Sequence, residues 1–191
     1  MYWFGWVIVL VGASLIFRLI VRQDYLIKGR LTWISTLLEI LIFAGHANLY
    51  YLFLPTPWPD LPPLPDQGLS SCFWLGIMIL GGMLTLGFMA YLGFSTAFGG
   101  KADELRQSGP YKWSRNPQLL AYYLVVIGFA FLYPSLESAA WVLLYGIISH
   151  IMIKTEEEHL LNVYGSSYQE YCARVPRYIR LSSISDLFSN S

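Results

Sequence analysis

Three consecutive carboxylates, Glu156, Glu157 and Glu158, follow an apolar run that ends at Ile153. Like charges side by side repel, and a bound cation relieves the repulsion. A helix N-terminus also welcomes acids. Thr155 and Glu158 have the spacing of a capping box, which predicts a helix start at Thr155. His159 follows, but a single His with no second cluster offers no metal-ligand spacing. Cys72 and Cys172 stand far apart and predict neither a metal site nor a disulfide. A second polar stretch runs over 105–118. Gly109-Pro110 reads as a turn. Asn116-Pro117 reads as an N-cap followed by the proline of a first helical turn. Those local roles leave Tyr111 and Arg115 unexplained beside the next apolar stretch.

The elements that hold these residues are set by composition. The chain has 191 residues, 55% hydrophobic and 13% charged, with mean hydropathy +0.49. Soluble domains carry about a quarter charged residues, so the excess apolar surface belongs in lipid. The formal net charge is zero, which predicts no nucleic-acid partner. The expectation is an all-α polytopic membrane protein with about five transmembrane helices, over 1–21, 31–54, 69–98, 119–133 and 139–153. The first lacks the basic start and cleavage site of a signal peptide, so it is expected to be a retained span. A span needs about 20 residues. The last two reach that only by continuing into flanking polar residues, and the short 134–138 connection predicts an antiparallel hairpin. Six prolines within 55–68 exclude a helix there. Gly76, Gly81, Gly82 and Gly87 are candidates for close helix approach. Glu39 and His46, seven residues apart, share a face of the second stretch; function and an interhelical hydrogen bond are equally open to them.

Five spans sort the charges. Arg18, Arg22, Lys28, Arg30, Lys101, Arg106, Lys112, Arg115, Lys154, Arg174, Arg177 and Arg180 are all 12 basic residues of the chain, and all fall on one side. By the positive-inside rule that side is cytoplasmic and the N-terminus lies outside. The tail carries Leu160, Leu161, Tyr164, Tyr168, Tyr171 and Cys172 at helical spacing, which predicts an amphipathic cytoplasmic tail on the membrane or on the bundle. Tyr164-Gly165-Ser166 predicts a helix break within it.

With the elements in place, Ser108-Gly109-Pro110-Tyr111, Arg115-Asn116-Pro117, Glu156-Glu157, Tyr164-Gly165, Tyr168, Tyr171 and Arg174-Val175-Pro176-Arg177 resemble the isoprenylcysteine carboxyl methyltransferase and phospholipid methyltransferase superfamily. The resemblance covers 103–177. It implies an integral membrane enzyme that transfers a methyl group from S-adenosylmethionine to a lipophilic small-molecule or lipid-modified acceptor, with membrane lipids as its surroundings. The acceptor is an isoprenylcysteine-like carboxylate, a phospholipid or another lipid. The resemblance assigns Asp103, Glu104, Leu105, Arg106, Tyr111, Asn116, Pro117, Gln118, Glu156 and Glu157 to the cofactor and Arg115 to the catalytic centre. Glu156 matches the glutamate that holds the cofactor's amino group. Asn116 stands where the carboxyl methyltransferases have histidine, as in the phospholipid-type branch. Met152 stands where they have an arginine for the substrate carboxylate. The division expected is 1–98 for the first three spans and 99–191 for the methyltransferase-like region, integrated as one domain. Two other readings use the same scaffold: a membrane reductase of sterol or enone type, which needs more phosphate-binding groups than this chain offers, and a non-catalytic membrane binding protein.

Overall fold

The computed structural model describes residues 1–66, 68–100 and 104–179, and among them every regular element is helical. Asp103, assigned above to the cofactor, lies outside the described residues, as do Lys101 and Arg180. Helix α1 (Tyr2–Leu15) runs through a π-turn, Ile16–Val21, into α2 (Arg22–Lys28), making one rod of 27 residues. Gly29 stops it by turning left-handed at φ 65°. Thr32 then caps α3 (Trp33–Asn48), its hydroxyl accepting from Ser35 N. The buried Asp24 reaches over from α2 and accepts from Lys28, Thr32 and Ser35, which fixes the turn between the two helices. Helix α4 (Leu69–Leu92) ends where Gly93 adopts φ 93°, and the short α5 (Phe94–Ala97) follows. Helix α6 (Pro117–Leu132) and helix α7 (Leu136–Arg174) are the last helices among the described residues.

Among the described residues three helices are long and apolar enough to cross a membrane: Tyr2–Lys28, Leu69–Leu92 and Leu136–Arg174. Helix α6 is apolar but shorter, at 16 residues. Helix α7 runs unbroken only as far as its kink at Gly165; at 1.5 Å per residue the stretch 136–164 extends about 43 Å, longer than a hydrocarbon core of roughly 30 Å. Its apolar part is 136–153, and the polar remainder projects beyond.

Helix α7 is the hub. Ser135 caps it by accepting from Ser138 N. His46 of α3 and Trp141 of α7 exchange contacts with each other's backbone: Trp141 Nε1 donates to the His46 carbonyl at 2.6 Å, and His46 Nε2 lies 2.9 Å from the Trp141 carbonyl. Their rings stack at 4.6 Å. His46 is thus a buried interhelical tie. Around it Phe17, Val126, Leu144, Tyr145 and Ile148 form the core. Helices α4 and α6 lie close together because glycines meet there. A Cβ on Gly81 would stand 2.8 Å from the Ala121 carbonyl, and one on Gly128 would stand 2.6 Å from Met78. Of the four glycines singled out in the third apolar stretch, Gly81 alone has this close contact; Gly76, Gly82 and Gly87 face open space.

Several local expectations are corrected. The third stretch does not stay helical to 98, because Gly93 breaks it. Thr155 and Glu158 form no capping box: they lie inside α7, and the Thr155 hydroxyl donates back to Ile151 O. The cap sits one whole span earlier, at Ser135, and nothing between Lys154 and Tyr164 breaks a helix. Gly165 does interrupt α7, at φ 53° and ψ −124°. Beyond it, Tyr168, Tyr171 and Val175 are buried against Leu105, Leu160 and Tyr164, so that face of the tail packs on the bundle.

Candidate active site

Three consecutive helical residues point about 100° apart, so the three glutamates cannot share one environment. Glu158 turns toward the first rod. It accepts from Arg18 at 2.7 Å and Arg22 at 2.6 Å, two arginines one turn apart. Those hydrogen bonds, Arg22's first, hold its carboxyl below the usual range. Glu157 turns the other way, toward the loop before α6 and the strap after α7. Its carboxylate forms an ion pair with Arg115 at 2.9 Å and accepts from both Nε and Nη2 of Arg177, at 2.9 and 2.5 Å. Arg115 and Glu157 are 12% and 14% exposed in their side chains, so this pair is well shielded. The pairing raises the Arg177 pKa.

Glu156 has neither. No hydrogen bond or ion pair engages its carboxylate among the described residues. It is half-buried, three residues beyond the apolar part of α7, and lines a cleft with about 590 Å3 of free space, mouth included. Burial, and then the charge of Glu157, push its pKa up to about 7.

The same cleft is lined by Glu104, Leu105, Arg106, Tyr111, Arg115, Asn116, Gln118 and Glu157. The fold therefore gathers nine of the eleven residues singled out in the sequence around one cavity. Pro117 is buried at the first turn of α6 and does not line it; Asp103 is outside the described residues. Each wall has a local cause. Tyr111 is buried, donates to Gln118 Oε1 at 3.0 Å, and receives the Tyr171 hydroxyl on its carbonyl at 2.7 Å. Burial, then the charge of Glu156, raises its phenol well above the ordinary value. Asn116 caps α6 by position, yet its amide donates to the Arg177 carbonyl instead of a helix amide. Arg115 N donates to Pro176 O. With the Ser114 hydroxyl donating to the same Arg177 carbonyl, three crossings tie the strap 175–178 across the loop that carries Arg115. The Arg115 guanidinium also meets Tyr168 and Cys172, while its buried Nε has no partner among the described residues. Arg106 lies over the Tyr91 ring, 5.6 Å from its centre.

A family model described as phospholipid methyltransferase matches residues 67–167, just over half of the chain. The chain belongs to the phospholipid methyltransferase family. The match spans α4, α6 and most of α7, so it includes both lips of the cleft. This phospholipid methyltransferase family member thereby falls among membrane methyltransferases of lipid-like substrates. Comparisons with curated proteins and with solved structures gave no match.

Six wall residues were not singled out in the sequence as site residues. Leu92 ends α4 and Thr96 lies in α5, on either side of the Gly93 break, and nothing in their types marks them. Leu160, Tyr164, Tyr168 and Tyr171 were legible as a helix face, though not as the far wall of the cleft.

Proposed function

We propose that the protein transfers a methyl group from S-adenosylmethionine to a lipophilic acceptor, at a cytoplasmic site at the end of a five-span bundle. The observation that carries this reading is the Glu156 carboxylate, unpaired among the described residues and facing the cleft, while Glu157 and Glu158 beside it on α7 are each neutralised by arginines. S-adenosylmethionine has an ammonium and a sulfonium, and the donor set suits both. Glu156 supplies a free carboxylate, and Tyr111, Tyr168 and Tyr171 supply aromatic walls beside it. Bound there, the cofactor would supply a methyl carbon activated by its sulfonium. The chain's own residues do the rest. Glu156 anchors the ammonium. Glu157 holds Arg115 and Arg177, so that Arg115 stays at the rim to orient the acceptor or its developing charge. Leu105, Leu160 and the tyrosines exclude water, and alignment in a dry site is the main demand of such a transfer.

The five-span reading adds α3 and α6 to the three longer helices and is supported by the sorting of all basic residues to one side. Region 99–191 is taken as the methyltransferase-like part, integrated with 1–98 through the Arg18 and Arg22 pairs on Glu158. A phospholipid or another lipid fits better than an isoprenylcysteine-like carboxylate, because Met152 replaces the arginine such a carboxylate needs. The test is transfer of labelled methyl from S-adenosylmethionine to a total lipid extract by the purified protein. A labelled lipid product is expected; binding of cofactor with no product from any extract would point to a non-catalytic protein.

A further inference from the structure

Beside the cleft lies a second lobe, which shares Thr96, Glu156, Leu160 and Tyr164 with it as walls. It extends toward the turn between α2 and α3, where Tyr25 and His159 stack at 4.3 Å as its wall and Lys28, Gly29 and Arg30 line its edge. None of that turn lies within the segment 67–167 matched by the family. Lys28 is paired with Asp24 at 2.7 Å, and Asp24 also accepts from Thr32 N at 3.0 Å and Ser35 Oγ at 2.5 Å. That pair is internally neutral and shapes the turn. Gly29, at φ 65°, then reverses the chain. Arg30 emerges exposed, with no hydrogen bond or ion pair on its guanidinium among the described residues. The lobe is therefore edged by one unpaired carboxylate, Glu156, and one unpaired guanidinium, Arg30. Such a pair of opposite free charges complements a zwitterion.

We propose that Arg30 is the anion-holding half of a zwitterion subsite whose cation-holding half is Glu156. The proposal rests on the reading of Glu156 given above only in so far as Glu156 is a free carboxylate that takes an ammonium. Two ligands share the chemistry: the amino-acid end of S-adenosylmethionine, with ammonium and carboxylate, and the headgroup of a zwitterionic aminophospholipid, with ammonium and phosphate. A guanidinium forks onto either anion.

The test uses the full chain in detergent, unaltered and as Arg30→Glu and Arg30→Lys. Affinity is measured for S-adenosylhomocysteine and for 5′-methylthioadenosine, which keeps the nucleoside and thioether but lacks the amino-acid end. If the anion is the cofactor's carboxylate, Arg30→Glu weakens S-adenosylhomocysteine about tenfold. Arg30→Lys then restores part of the loss, and 5′-methylthioadenosine is unaffected. If the anion is the lipid phosphate, S-adenosylhomocysteine binding stays intact. The concentration of phosphatidylethanolamine half-saturating methyl transfer, in phosphatidylglycerol vesicles, then rises severalfold. Binding and lipid saturation both unchanged by Arg30→Glu overturn the proposal alone. Failure of the unaltered chain to bind S-adenosylhomocysteine overturns the reading of Glu156 and the proposal with it.

Discussion

The α4–α6 contact and the polar end of α7 hold the bundle together by opposite means. Between α4 and α6 the approach depends on missing atoms: Gly81 lets α4 reach the Ala121 backbone, and Gly128 lets α6 reach Met78 and Trp74. At the end of α7 the approach depends on added charge. Arg18 and Arg22 come from the first rod, Arg115 from the loop before α6 and Arg177 from the strap, and each finds a glutamate. The first contact is made of shape and is indifferent to pH and salt. The second is made of charge and leaves one member over. The lesson is that Glu156 stands out because its neighbours are satisfied.

The comparison can be broken at either region. The largest effect is expected from Glu157→Ala, which leaves Arg115 and Arg177 without their shared carboxylate. Removing one member of a shielded ion pair costs about 3 kcal/mol, read as a fall in the thermal midpoint in detergent. Next comes Gly81→Ala, which forces a methyl group against backbone and should cost about 2 kcal/mol by overpacking. Gly82→Ala, into open space, should leave the midpoint within about 0.5 kcal/mol. Equal effects at 81 and 82 would mean that α4 does not pack on α6 through this face.

Much of this was legible in the residues, and the misses have physical causes. The glycine-rich helix was readable, but which of Gly76, Gly81, Gly82 and Gly87 faces a partner depends on its rotation against α6. Gly128 drew no attention because it stands alone. The acids at 156–158 read as a helix start because local sequence carries no sign of the four distant arginines that neutralise two of them. That is also why a new helix was expected to start at Thr155, whereas α7 runs on from 154 to its kink at Gly165. The grouping of Arg115, Tyr111 and Glu156 was readable from motif order. The division of labour among the glutamates was not. Lys28 and Arg30 were readable only as charges that set orientation.

Two smaller effects sharpen the contrast at the charged end. Glu156 is pushed up to about 7, so the ionised form that would hold a cation is present above that pH and lost as pH falls through it. S-adenosylhomocysteine affinity should therefore fall roughly tenfold from pH 8 to pH 6. A flat profile would mean that Glu156 does not meet the ligand. Glu158→Gln should cost less than about 1 kcal/mol for each of its two exposed pairs, and less still at high salt.

The most direct measurement compares S-adenosylhomocysteine affinity, by calorimetry in detergent at pH 8, for the unaltered chain and Glu156→Gln, with Glu158→Gln alongside. An unpaired Glu156 that anchors the cofactor predicts at least a tenfold loss for Glu156→Gln and little change for Glu158→Gln. Unchanged affinity in Glu156→Gln would contradict it.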